Sequence, residues 1–164
     1  MGIGLAFGAA VLALAAVGWH FGAETTFAPI AESLRANLAP RLEGFGLLSR
    51  RGYCIMALFY CVIHSGLEEY YWRWFAFGQL QKYARPGMAA LVASLGFSLH
   101  HAIVLGDYFG FASAETRLGT LAVFFGGFFW CELYRKSGSI FAPWLSHALI
   151  DAAIFFIGYK ALFP

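Results

Sequence analysis

The N-terminal part of the chain is a long apolar stretch. Residues 1–23 contain no Asp, Glu, Lys or Arg. Residues 3–21 are enough, at about 1.5 Å per residue, to cross a hydrocarbon layer of roughly 30 Å. A cleaved signal peptide would carry a positively charged start, which is absent here. The pattern therefore predicts a membrane helix that is retained as an anchor.

Charged and apolar residues alternate in the next stretch, residues 24–51. Its apolar positions follow an i, i+4 series, which keeps one side of a helix apolar: Ile30, Leu34, Leu38 and Leu42. This favours an amphipathic connector helix at the membrane surface, interrupted near Pro40. A solvated connector is the alternative interpretation.

The remainder of the chain consists of closely spaced apolar segments separated by turns. Two shorter helices are predicted on either side of Gly66, and a turn is predicted over residues 106–116. Prolines stand at the start of two later segments, where the first helical turn tolerates them. The predicted helices are 53–66, 67–83, 87–105 after Pro86, 118–134, and 140–162 with Pro143 in its first turn.

These segments predict an all-α fold, a polytopic transmembrane helical bundle of about five to six membrane helices. We expect a single integral-membrane domain over residues 1–164. It comprises the N-terminal membrane helix (1–23), the amphipathic connector (24–51) and a helical core (52–162). No internal repeat or second domain is apparent in the sequence.

Composition supports a membrane protein and excludes several other classes. Hydrophobic residues make up 60% of the chain and charged residues only 12%, whereas soluble domains carry roughly 25% charged residues. The net charge of +2 is scattered, so nucleic acid is not an expected partner. We expect the lipid bilayer as its surroundings.

Ionisable residues nevertheless occur inside the apolar segments, in three groups. Each such residue costs at least about 2.5–3.5 kcal/mol on insertion scales, so their presence needs a reason. The groups are Glu68-Glu69 with Arg73, Phe97 with His100 and His101, and His147 with Asp151.

Helical spacing predicts how these residues pair. Glu69 and Arg73 are i, i+4 and can form an ion pair, while Glu68 points about 100° away and is left to face a cavity. His147 and Asp151 share a face in the same way, whereas His100 is rotated off the face that holds Phe97 and His101. A carboxylate with converging imidazoles is typical of general-base hydrolysis. Ion pairs or histidines that only join helices are the structural alternative.

Taken in order, the three groups resemble the motifs of the CAAX protease and bacteriocin-processing family, also called the abortive-infection family, of glutamic-type intramembrane proteases. The motifs are E-E-x-x-x-R, F-x-x-x-H and H-x-x-x-N or D, and the resemblance covers about residues 53–160. It implies that Glu68 and His101 activate a water molecule. It also implies that His147 and Asp151 stabilise the oxyanion or bind the scissile segment, with support from Glu69, Arg73 and Phe97.

Two features depart from that family pattern. Asp151 stands where the prenyl-protein endopeptidases of the family carry Asn, and an ionised Asp would repel an oxyanion. It must then be protonated or act by holding His147 as an imidazolium. The chain of 164 residues is also short for the family, and compact bacterial members are associated with trimming C-terminal sorting tails or processing peptides.

We therefore expect an intramembrane endopeptidase of the bacterial inner membrane, with residues 52–162 as its catalytic core. It cuts a peptide bond in or near a membrane segment of a membrane-protein or lipoprotein-like substrate. Prenylated CAAX substrates are less expected, and no cofactor is expected. If the reaction uses zinc, the ligand set is Glu68, His101 and His147. The alternatives are a non-proteolytic immunity or scaffold protein of the same family and a proton-coupled transporter subunit.

Overall fold

Helices joined by short turns make up the structure, a computed structural model that describes residues 2–22, 25 and 27–163. Parts of the predicted N-terminal helix and connector, at positions 1, 23, 24 and 26, lie outside the described residues. The helices are α1 (Gly2–Gly22), α2 (Ala28–Gly44), α3 (residues 50–80), α4 (Pro86–Phe109), α5 (Ala114–Ser137) and α6 (Phe141–Leu162). No strand occurs among the described residues, which confirms the predicted all-α class.

Helix α3 is continuous, so the predicted break near Gly66 is wrong. It contains two π-helical segments, Phe59–His64 and Tyr70–Phe77, which are separated by Ser65–Glu69. A Cβ at Gly66 would lie 3.1 Å from the indole Nε1 of Trp144. The glycine therefore permits a close helix contact and does not end the helix.

Helix α2 also continues through the residue that was expected to interrupt it. Pro40 lies inside the helix, and the last turn beyond it carries the buried side chain of Leu42. Burial of this leucine stabilises the last turn, although a proline removes one backbone hydrogen bond. The Arg35 side chain donates a hydrogen bond to the Ala161 carbonyl, which attaches α2 to α6.

The last three helices agree with the predicted segments, and the turn between α4 and α5 is shorter than predicted. Ser113 begins α5 by accepting a hydrogen bond from the backbone N–H of Thr116 at 3.1 Å. Gly138 ends α5 in the left-handed conformation, with φ of 64°, as a helix-terminating glycine commonly does.

One compact unit comprises residues 66–144. Its core is built from small and aromatic side chains on three helices: Phe77, Ala89, Ala90, Ala93 and Cys131. Alanines on α4 allow α5 to approach closely. We call this close contact between α4 and α5 the α4–α5 seam. Gly127 on α5 lies in it, because a Cβ there would lie 3.1 Å from the Phe97 ring and 3.4 Å from Arg73 Nη2.

The second compact unit comprises the described part of residues 2–65 together with residues 145–163. In it, α1 packs closely on α6 at Gly8, where a Cβ would lie 2.8 Å from the Cβ of Leu149. Tyr53 on α3 packs against the ring of Phe155 on α6 and donates a hydrogen bond to the carbonyl oxygen of the same residue at 3.2 Å. The tyrosine therefore joins α3 to α6 within this unit.

Three helices within the described residues are long and apolar enough to cross a membrane: α1, α4 and α6. Large apolar side chains lie on their outer surfaces, for example Ile3, Leu99 and Ile154. Such exposure suits contact with lipid. The number of spanning helices beyond these three stays a prediction, as does the single-domain organisation.

Two neighbouring glycines on α5 provide a test of the α4–α5 seam. Gly127→Ala should destabilise the protein relative to Gly126→Ala by about 1–3 kcal/mol, the usual cost of an overpacked core. Gly126 has room, because a Cβ there would lie 3.6 Å from the nearest Trp130 atom. Thermal unfolding of both variants in the same detergent would measure the difference, and equal stability would contradict the proposed seam.

Candidate active site

The candidate site contains a buried ion pair. Arg73 Nη1 lies 3.0 Å from Glu69 Oε1, and the two side chains are 1% and 0% exposed. Both residues are on α3, at the i, i+4 spacing that predicted the pair. Removing two charges from water costs several kcal/mol per ion, so each of them depends on its partner.

Two aromatic rings enclose the arginine. The guanidinium carbon of Arg73 lies 4.4 Å from the centre of the Phe97 ring on α4 and 5.0 Å from that of Trp130 on α5. Desolvated cation–π contacts of this kind contribute about 2 kcal/mol or more. The arginine therefore joins three helices around one charge.

Glu68, next to the ion pair in sequence, faces a different group of residues. It is 7% exposed, and its Oε1 lies 3.8 Å from His101 Nε2 and 3.9 Å from His100 Nδ1. These separations are too long for direct hydrogen bonds. They are of the length that a bridging water or cation spans.

The ring of His101 is held in one orientation. Its Nδ1 lies 3.0 Å from the Phe97 carbonyl oxygen, which can only accept, so Nδ1 carries the proton. The imidazole also packs edge-on against the Phe97 ring, with 4.5 Å between ring centres. In the neutral ring, the lone pair is then on Nε2, the atom that lies 3.8 Å from Glu68 Oε1.

His100 is the site residue that sequence reasoning left out. Its side chain is 48% exposed, and its ring lies 4.9 Å from that of His101. Helical rotation does separate the two histidines, but Glu68 on α3 lies where both can approach it. Adjacent histidines on a helix opposite a carboxylate are the signal that could have indicated this arrangement.

His147 and Asp151 lie on α6 in the second unit. His147 Nε2 is 3.6 Å from Asp151 Oδ1, and the side chains are 5% and 18% exposed. The pairing expected from their spacing is therefore present. The predicted zinc set of Glu68, His101 and His147 draws on both units and stays a prediction, as do the catalytic roles of all these residues.

The chain matches a known protein family. A family model described as type II CAAX prenyl endopeptidase, Rce1-like, matches residues 50–153. This range is more than half of the 164-residue chain, and it contains all three motifs. No curated protein and no solved structure matches the chain.

The buried ion pair should matter far more for stability than an exposed one. Arg73→Leu should cost about 3–5 kcal/mol, because it leaves the Glu69 carboxylate buried without its cation. The matched control is Arg135→Leu, which removes the exposed partner of Glu132 on α5 and should change stability little. Unfolding in detergent and yield in membranes would measure both effects. Equal losses from the two substitutions would contradict a structural role for the buried pair.

Proposed function

This chain belongs to the Rce1-like family of type II CAAX prenyl endopeptidases, and on that premise we propose that it is an intramembrane endopeptidase in which Glu68 and His101 activate the attacking water. The observation that carries the proposal is the 3.8 Å separation of Glu68 Oε1 and His101 Nε2. Family membership supports peptidase chemistry in the membrane, and this separation supports the choice of residues.

The two side chains suit a general-base mechanism. A water between the Glu68 carboxylate and the Nε2 lone pair of His101 donates one hydrogen to each. Its own lone pair is then directed at the carbonyl carbon of the scissile peptide bond. The new C–O bond forms as a proton passes to Glu68, and the C–N bond breaks as that proton passes to the leaving nitrogen.

Glu69, Arg73 and Phe97 act as positioning residues in this mechanism. Phe97 contacts the Arg73 guanidinium with its ring and accepts the His101 Nδ1 hydrogen bond with its carbonyl oxygen. The ion pair therefore fixes the residue that orients the imidazole. A fixed geometry favours general-base catalysis, because a misplacement of about 1 Å can cost about 10²-fold in rate.

We propose that His147 stabilises the oxyanion, the role that the family resemblance implies. Asp151 lies 3.6 Å from His147, so its charge favours a positively charged imidazole. An ionised Asp151 would itself repel an oxyanion. We therefore assign Asp151 to holding His147 as an imidazolium, and not to direct contact with the substrate.

The proposed substrate is a peptide segment in or next to the membrane, such as a C-terminal sorting tail of a membrane or lipoprotein-like protein, in the bacterial inner membrane. The proposed reaction needs no metal, because a carboxylate and an imidazole suffice to activate water. A substrate panel should contain such tails together with a prenylated CAAX peptide, since the family description names that activity.

Replacing the proposed general base should remove activity without unfolding the protein. Glu68→Gln keeps the shape of the side chain but cannot accept the proton, so turnover should fall by about 10²–10⁴-fold. The measurement is the rate of fragment formation from the panel, by mass spectrometry, in proteoliposomes.

The matched control is Glu132→Gln, which makes the same change at a carboxylate that pairs with Arg135 on α5. It should keep the activity of the unmodified chain. If Glu68→Gln cleaved at the same rate as the control, Glu68 would not be the base. If no fragment depended on the unmodified chain across the panel, the peptidase proposal would fail.

His147 gives a second, independent test. His147→Gln should lower the maximal rate by about 10²–10³-fold, the usual cost of removing one oxyanion donor, with little change in KM. His64→Gln, on α3 of the same unit, is the control and should retain activity. A loss that appears only as a higher KM would assign His147 to substrate binding instead.

A further inference from the structure

The cluster around Glu68 contains the donor set of a metal site. Glu68, His100 and His101 each offer one ligand atom, and these atoms all lie within 4.8 Å of one another. We propose that the three residues bind a divalent transition-metal ion such as Zn²⁺, and that the bound ion blocks hydrolysis. His100, which has no part in the proposed water activation, is the ligand that distinguishes this site.

The distances suit a small ion after a modest adjustment. Tetrahedral zinc, with bonds of about 2.0–2.1 Å to nitrogen and oxygen, needs ligand atoms roughly 3.3–3.4 Å apart. The two histidine nitrogens lie 3.8 and 3.9 Å from Glu68 Oε1. Since the His100 side chain is 48% exposed, rotation about its side-chain bonds can supply much of the contraction.

Neighbouring groups also suit metal binding. Metal-ligating histidines usually donate their second ring N–H to a carbonyl or carboxylate, which fixes the tautomer. His101 does this through Nδ1 to the Phe97 carbonyl oxygen at 3.0 Å. The cluster thus has one ligand that is already oriented, one buried carboxylate and one adjustable imidazole.

The chemistry of the ligands restricts the kind of ion. Two imidazoles and one carboxylate favour Zn²⁺, Co²⁺, Ni²⁺ or Cu²⁺ over Mg²⁺ and Ca²⁺, which prefer oxygen ligands. The ligands also come from two helices, α3 and α4, so a bound ion would link them. Binding should therefore raise the thermal stability of the chain.

Inhibition follows from which lone pairs the ion uses. A metal bound to Glu68 and His101 occupies the two acceptors to which the attacking water donates its hydrogens. This inhibitory part of the inference rests on the proposed function, whereas the binding part does not. The two parts can accordingly be tested by separate measurements.

Binding is tested with Co²⁺ and Zn²⁺ on the full chain in detergent after treatment with a chelator. Titration with Co²⁺ should give the visible absorption of a tetrahedral site at one ion per chain, and calorimetry should give the Zn²⁺ affinity. His100→Ala should weaken binding at least about tenfold, or about 1.4 kcal/mol. His100→Gln serves as a second variant, and Glu68→Gln should also weaken binding.

The matched control is His20→Ala, which removes an exposed histidine on α1, away from the three ligands in sequence. It should bind both ions with unchanged affinity, and Mg²⁺ should give no response with any form. Equal binding by the unmodified chain and both His100 variants would overturn the site, as would the absence of binding. Because these measurements need no turnover, they are independent of the peptidase proposal.

Inhibition is tested by titrating Zn²⁺ into the cleavage assay, with each form compared with its own chelator-treated rate. The concentration giving half inhibition should match the Kd for the unmodified chain and rise at least about tenfold in His100→Ala. Faster cleavage with Zn²⁺ would overturn the inhibitory role and support a metal-dependent reaction. If the concentration giving half inhibition were the same in His100→Ala as in the unmodified chain, the inhibiting ion would bind at another site and the inhibitory role of this site would be overturned.

Discussion

The buried charge of Arg73 is the constraint on which the rest of the site depends. A guanidinium that is 1% exposed is removed from bulk water, so its charge depends on the protein groups around it. The chain supplies one carboxylate from α3 and two ring faces, one from α4 and one from α5. Fixing this single charge therefore fixes three helices, and the absence of a side chain at Gly127 lets the third approach.

The same constraint separates the tasks of two adjacent carboxylates. Glu69 is committed to the arginine at 3.0 Å, and helical rotation turns Glu68 towards the histidines of α4. Phe97 couples the two sides, since its ring contacts Arg73 and its carbonyl oxygen holds His101. A change at the ion pair would therefore reach the histidine through one residue and not through a long pathway.

Sequence reasoning was most successful where the determinants are local. The spacing of Glu69 with Arg73, and of His147 with Asp151, predicted both pairs, because i, i+4 positions share a helix face whatever surrounds them. The continuity of α3 through Gly66 was missed, since no local pattern indicates that this glycine lies against the side chain of Trp144, far away in sequence. His100 was missed for a related reason, because only the packing of α4 against α3 places it next to Glu68.

Hydrolysis within a membrane needs water at a site made from charged and apolar side chains, and the members of the cluster differ in how far they are exposed. The Glu68 side chain is 9% exposed, that of His101 is 23% and that of His100 is 48%. An exposed imidazole is costly against hydrocarbon but not against water. Of the three side chains, that of His100 therefore gains most from facing water, and it is also the most exposed ligand of the proposed metal site.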